Sequence, residues 1–274
     1  MLSYQHAFHA GNHADVLKHW CLLETLLYLQ KKDKPFDYID THAGDGLYSL
    51  KSQAALKTGE ASAGVLKLID NQPEVLKNYL DVVLSYIAQH KYPGSPKLVQ
   101  QHLRSGDHAW FFEMHPQAIT NLQKKLASKT GCFVKTEDGF KGLLSLLPNK
   151  NKRALVLMDP SYEIKADYRT VVETVEKAYK KMPQTVFLLW YPVVDREQIT
   201  QFEKHIKKTV LKNVHLFEMG VADDANKGMT ASGMIVVNPP WTLPEQFKSG
   251  FGEVSQRLSE DGIARTRYEL LIAE

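Results

Sequence analysis

The run Phe36-Asp37-Tyr38-Ile39-Asp40-Thr41-His42-Ala43-Gly44-Asp45-Gly46 decides the fold. Residues 36–41 read as a strand. Gly44 and Gly46 follow directly, and glycines there let the backbone bend tightly and approach a bound nucleoside. In an open parallel sheet, ligands lie outside the carboxyl ends of the strands, where strand order reverses. A Gly-x-Gly pair alone also fits a plain turn. A dinucleotide fingerprint needs a third glycine at the right offset and a helix immediately after. The run continues instead into Leu47-Tyr48, which fits an adenosine-type ligand better than NAD.

Working outward, apolar runs recur at 109–114, 132–136, 153–158, 185–191, about 210–219 and 233–237. Helix-period segments separate them, the clearest at 116–127 and 166–182. This alternation predicts an α/β fold with a mostly parallel sheet of about seven strands. Runs as dense as Val186-Phe187-Leu188-Leu189-Trp190 suit strands covered on both faces. A helix is expected over 14–29, started near Asn12. One stretch breaks the alternation. Residues 62–90 read as helix only, with an apolar stripe from Val75 to Ile87 and Pro73 in the first turn. That is too much chain for one crossover, so 52–92 is expected to be a small helical insertion. The rest reads as a single domain, 1–274, with a lid and helix at 1–30.

Composition sets the outer bounds. The chain has 274 residues, 43% hydrophobic and 24% charged, which excludes collagen-like, coiled-coil and wholly disordered classes. A net charge of +3 permits a nucleic-acid partner without pointing to one. The two cysteines, Cys21 and Cys132, read as buried free thiols in a reducing compartment. The N-terminus lacks a basic and then apolar signal pattern, and the stretch 186–194 is too short to span a bilayer. A cytoplasmic protein is expected.

Acids at the other strand ends carry the chemistry. Glu113 closes the second strand and could accept both ribose hydroxyls. Asp138 closes the third and could accept from an adenine amine. The fourth ends in Asp159-Pro160-Ser161-Tyr162. There Asp159 and the Pro160 carbonyl could hold an exocyclic amine while Tyr162 offers a stacking face. Each acid taken singly is also a common solvated loop residue. Asn238-Pro239-Pro240-Trp241 matches the Asn/Asp-Pro-Pro-aromatic pattern more literally, but it follows the seventh strand and reads as structural or substrate-flanking. The N-terminal cluster of Tyr4, His6, His9, Asn12, His13, Asp15, Lys18 and His19 reads as a polar lid over a ligand pocket. His9 and His13 are four apart, but Gly11-Asn12 breaks the helix between them and no metal is expected.

These residues carry a resemblance covering nearly the whole chain. The opening Met1-Leu2-Ser3-Tyr4, His6, and the run from Phe8 to His19 are its longest carriers, with Gly228-Met229-Thr230-Ala231-Ser232-Gly233-Met234-Ile235. Asp40-Thr41-His42-Ala43-Gly44, Tyr92-Pro93-Gly94-Ser95-Pro96, Glu113, His115-Pro116, Asp138-Gly139-Phe140 and Trp190-Tyr191-Pro192-Val193-Val194 add to it. The sequence resembles the RlmJ-type 23S ribosomal RNA adenine-N6 methyltransferases. The resemblance implies a Rossmann-like S-adenosylmethionine (SAM) methyltransferase fold with a helical insertion. It implies methyl transfer to the N6 of an adenine in 23S ribosomal RNA, by resemblance adenine 2030. It implies a SAM site lined by His19, His42, Ser95, Glu113, Asp138, Gly139 and Asp159, beside the Gly44 turn. Asp159 is implied as proton acceptor with Pro160 and Tyr162, and Tyr4, His6 and Lys18 as the RNA side. The family usually shows Asp-Pro-Pro-Tyr, and Ser161 departs from it, which should slightly loosen the turn. Two other readings compete: a DNA adenine-N6 methyltransferase, and a non-catalytic DNA-binding protein serving the use of external DNA. A monomer is expected.

Overall fold

The computed structural model describes residues 6–126 and 130–274. Its strands are β1 (Asp37–Asp40), β2 (Leu47–Ser49), β3 (Lys91–Pro93), β4 (His108–Phe112), β5 (Cys132–Lys135), β6 (Ala154–Met158), β7 (Val186–Val193), β8 (Val214–Gly220), β9 (Ala231–Val237) and β10 (Arg265–Ile272). Its helices are α1 (His13–Gln30), α2 (Gln53–Thr58), α3 (Glu60–Ala63), α4 (Lys77–Ile87), α5 (Ser95–His102), α6 (Pro116–Leu126), α7 (Gly139–Leu146), α8 (Ala166–Lys181), α9 (Arg196–Ile206) and α10 (Leu243–Leu258).

Eight strands form one sheet in the order β10-β8-β9-β7-β6-β1-β4-β5. The strands from β5 through β7 run parallel, whereas β9 is antiparallel to both β7 and β8. Every residue of β1, β6, β7 and β9 is buried. That is why these strands read as unbroken apolar runs: helices cover both faces. The chain builds outward from β1 through β4 to β5, then returns to β6 and builds the other way. Strand order therefore reverses between β1 and β6, and the carboxyl ends of both reach the same edge.

α1 starts where expected. Asn12 is extended, and its side chain accepts the Asp15 N–H at 3.0 Å, an N-cap. Val16, Leu17, Trp20, Cys21, Leu22, Leu23 and Leu26 are all buried, together with the polar Asp15, Lys18 and His19, so this helix lies inside the molecule.

The sheet holds one strand more than the sequence suggests. β10 is a half-exposed edge strand that reads Arg-Thr-Arg-Tyr-Glu, so its charges conceal its period. β8 begins at Val214, later than the expected 210, because Asn213 adopts a left-handed φ of 51° that interrupts the extended run. The stretch 62–90 is not continuous helix. It is broken into α3, two 3-10 turns and α4, and Pro73 precedes the turn at Glu74–Leu76 rather than opening α4. The roots of this segment are joined by a ribbon in which β2 pairs antiparallel with β3. Cys21 is buried as expected, but Cys132, on the edge strand β5, is only half-buried.

Candidate active site

The site grows from the β1–β6 pair. Asp40 lies opposite Leu157, and the Thr41 N–H donates to the Leu157 carbonyl at 3.1 Å. Asp159, two residues past Leu157, therefore leaves the sheet beside the bend that starts at His42. Asp40 also lies opposite Phe111 of β4. Glu113 thus reaches the same bend, where it accepts the Gly44 N–H at 2.8 Å and the His115 N–H at 2.7 Å. Gly44 and Gly46 have φ of 61° and 73°, the left-handed region that a glycine enters without a Cβ penalty.

The Asp138 Oδ1 caps α7, accepting the Phe140 N–H at 2.9 Å. Gly139 follows, and a Cβ there would lie 2.0 Å from the Thr41 carbonyl oxygen. Only glycine lets this helix start approach the end of β1. His42 joins the two loops: its ring meets Phe140 edge-on at 4.9 Å and its Nδ1 lies 2.8 Å from Thr41 Oγ1. Burial pushes its pKa down to about 4, so it is neutral at physiological pH.

Asp40 is fully buried. It accepts from Ser95 Oγ at 2.7 Å, Tyr38 Oη at 2.9 Å and the His42 N–H at 3.3 Å. These bonds do not offset the desolvation, and its pKa is raised to about 6. Burial likewise raises Asp159, opposed by Lys18, whose Nζ donates to its Oδ2 at 2.6 Å. The same ammonium lies 2.8 Å from Asp15 Oδ1 and 5.7 Å from the centre of the Trp190 ring. Asp15 also takes the His6 Nε2 at 3.0 Å and the Gly11 N–H at 2.8 Å. His19, one turn along α1, has its Nδ1 2.8 Å from Tyr92 Oη and is held neutral by burial, its pKa lowered to about 3.

Asp159, His19, His42, Gly44, Ser95, Glu113, Asp138 and Gly139 thus gather at the ends of adjoining strands. His6 and Lys18 join them from the N-terminal segment. Tyr4 lies outside the described residues. The open stacking face expected of Tyr162 needs correction. Its φ is 53°, it is 8% exposed, its hydroxyl donates to the Trp190 carbonyl at 2.7 Å, and Tyr168 packs on its ring at 4.2 Å. A base would reach it only if this turn opens.

The sequence assigned Asp40 no role in the site and placed Asp15 only within the polar lid. Asp40 carries a legible signal, an acid closing an apolar strand just before a glycine turn. Asp15 carries little, since its partners lie at positions 6, 11 and 18. The Asn238-Pro239-Pro240-Trp241 turn is set aside by topology. β9 runs against β7, so this turn leaves at the opposite edge, where the Asn238 side chain ties down the Pro183 and Thr185 carbonyls at 2.7 and 2.9 Å. Among the described residues, no group of three or more His, Cys, Asp or Glu is arranged to hold a metal ion. His9 instead pairs with Glu60 at 2.7 Å.

A strand order that reverses at a glycine bend, with acids on the adjoining strand ends, is the arrangement of Rossmann-like, S-adenosylmethionine-dependent methyltransferases. Fold and site place the chain in that class. The family model described as "Ribosomal RNA large subunit methyltransferase D, RlmJ" matches residues 33–269. Two curated relatives share the name Ribosomal RNA large subunit methyltransferase J. That of Haemophilus influenzae is 40% identical over 281 residues, and that of Escherichia coli 39% over 280; both alignments cover 100% of each chain. The crystal structure of a Legionella pneumophila protein of the family DUF519 is similar at a TM-score of 0.88 and 32% identity, covering 96% of this chain and 98% of that one. The chain belongs to the RlmJ family.

Proposed function

We propose that this protein transfers a methyl group from S-adenosylmethionine to the exocyclic N6 of an adenine in 23S ribosomal RNA. The observation that carries the reading is the meeting of the Asp159 turn and the glycine bend across the β1–β6 pair. The donor set fits the cofactor. Glu113 keeps acceptor capacity for ribose hydroxyls beyond its two backbone bonds. The second oxygen of Asp138 is free of the cap and suits an adenine amine. The buried Asp40 ends β1 and the half-buried Asp159 follows β6, with Lys18 as the ammonium against Asp159. A cationic ligand therefore offsets a charge the fold leaves under-compensated. His19, His42, Ser95 and Gly139 complete the proposed cofactor side.

When bound, the cofactor supplies a methyl group activated by an adjacent positive sulfur. The chain's own work is alignment and charge. Positioning alone can lower a barrier by about 7–11 kcal/mol. Asp159 and the Pro160 carbonyl accept the two amine hydrogens and turn the nitrogen lone pair outward. As the amine gains positive charge, the Asp159 carboxylate stabilises it and then takes the proton. The target base must leave its stack, at a cost of a few kcal/mol. Contacts from Tyr4, His6 and Lys18, with Tyr162 once the turn opens, offset that cost. Residues 1–30 act as lid and helix, 52–92 as the helical insertion, and 1–274 as one domain working as a cytoplasmic monomer. No helix among the described residues is long and apolar enough to cross a membrane.

Mass mapping of 23S RNA from cells lacking the protein, with and without complementation, tests the reaction. One N6-methyladenine should vanish and return. An unchanged RNA, or faster transfer to duplex DNA in vitro, would overturn the substrate assignment.

A further inference from the structure

Asp159 does not face the pocket with its own charge alone. Lys18 lies 2.6 Å from it, and at that distance an ammonium cancels much of the field that a carboxylate offers a developing cation. The same ammonium lies 2.8 Å from Asp15. The side chains of Asp15, Lys18 and Asp159 are 1%, 5% and 16% exposed, so water screens Asp15 and Lys18 poorly and Asp159 only in part. The line Asp15–Lys18–Asp159 therefore holds two negative charges and one positive.

We propose that Asp15 is a positioning residue whose charge offsets Lys18, so that the triad keeps one net negative charge for the amine nitrogen as it is methylated. The inference rests on the reaction proposed above. Lys18 orients and ionises Asp159; Asp15 prevents that help from becoming neutralisation. Positive charge moves onto the nitrogen during transfer, so the net negative charge acts more strongly on the transition state than on bound substrate. Asp15 also fixes the lid through His6 and the Gly11 N–H, so a purely structural role is the alternative to separate.

Several charged or titratable groups face these two acids. Asp159 feels Lys18, His6 and Asp15, and it acts in turn on Asp40, Tyr38 and Tyr162. Asp15 feels His6, Lys18 and His19 and acts on His9, His13, Tyr48, Tyr79 and Tyr92. Asp15 pushes Asp159 towards protonation and Lys18 pushes the other way. Losing Asp15 should therefore lower the Asp159 pKa, and losing Lys18 should raise it.

The test uses Asp15→Asn, Lys18→Met and the double variant, each checked for folding by thermal unfolding. Single-turnover methyl transfer to a 23S fragment is followed against pH, and the Asp159 carboxyl is titrated by 13C NMR in the cofactor-free protein. Asp15→Asn should slow transfer at least about tenfold and move the Asp159 titration and the acid limb of the rate to lower pH. Lys18→Met should move both to higher pH. The double variant should titrate Asp159 between the two single variants, because the two effects oppose each other. An Asp159 titration unmoved in Asp15→Asn, or a double variant that titrates outside the range of the two single variants, would overturn the inference in favour of structure alone. If Asp15→Asn does not fold, the pair Lys18→Met and double variant decides. Adding Asp15→Asn should bring the raised titration back down, and failure to do so overturns the inference. A wild-type enzyme that transfers no methyl group to RNA speaks against the proposed reaction instead, and the titrations still decide the charge argument.

Discussion

Asp40 shows how one residue's burial becomes a measurable property. Its folded pKa of about 6 lies above the ordinary 3.8, so the folded state holds its proton more tightly than the unfolded chain. Stability from this group is present below pH 3.8 and is lost as pH rises towards 6. The shift of about two units corresponds to about 3 kcal/mol at neutral pH. Asp40→Asn should therefore gain stability relative to wild type, by up to that amount, between about pH 4 and pH 7.5, read by denaturant unfolding at both. A constant difference across the range would show that the carboxyl ionises freely. Tyr162 is a second case. Tyr162→Phe removes the bond to the Trp190 carbonyl and should cost about 1 kcal/mol in thermal unfolding, while the ring keeps its packing. An unchanged melting temperature would mean that the hydroxyl does not hold the turn.

At the scale of elements, two helix starts position the site and each depends on one residue. Asn12 caps α1 and also donates to Glu60 at 2.9 Å. Asn12→Ala should destabilise by roughly 0.5–2 kcal/mol and loosen the lid; a variant as stable as wild type would remove Asn12 from that role. Gly139 lets α7 meet β1. Gly139→Ala drives a methyl group against the Thr41 carbonyl and should cost about 1–3 kcal/mol, with a matching loss of cofactor affinity by calorimetry. Retention of both would mean that the helix shifts without consequence. The α1 start was legible in the sequence because a cap is a local signal, whereas the start of α7 was not read there, since Asp138 was taken as a ligand acceptor rather than a cap. β1, β4 and β6 were legible too, since each is an apolar run closed by an acid or a glycine bend. β10 was not, because an edge strand carrying Arg265, Arg267 and Glu269 has no apolar run to find. The breaks within 62–90 were hidden because Val75–Ile87 gives a strong helical stripe that continues through the 3-10 turn.

Across the whole molecule, the site is a consequence of strand order. Nothing local links Asp15 to Asp159, 144 positions apart in the chain, or Gly44 to Glu113. They meet because α1 is buried within the fold and because β4 and β6 flank β1. Sequence reading therefore found most strand-end residues one by one but not the charge balance among them, which exists only after folding. The open stacking face expected of Tyr162 failed for the same reason, since Tyr168 and Trp190 reach it through tertiary packing. The most direct test of the shared pocket is the Asp159→Ala variant, assayed for methyl transfer to a 23S fragment alongside calorimetric binding of S-adenosylmethionine. Transfer should fall by on the order of 10³ or more while the fold persists and cofactor binding weakens by much less; transfer at the wild-type rate would contradict the account.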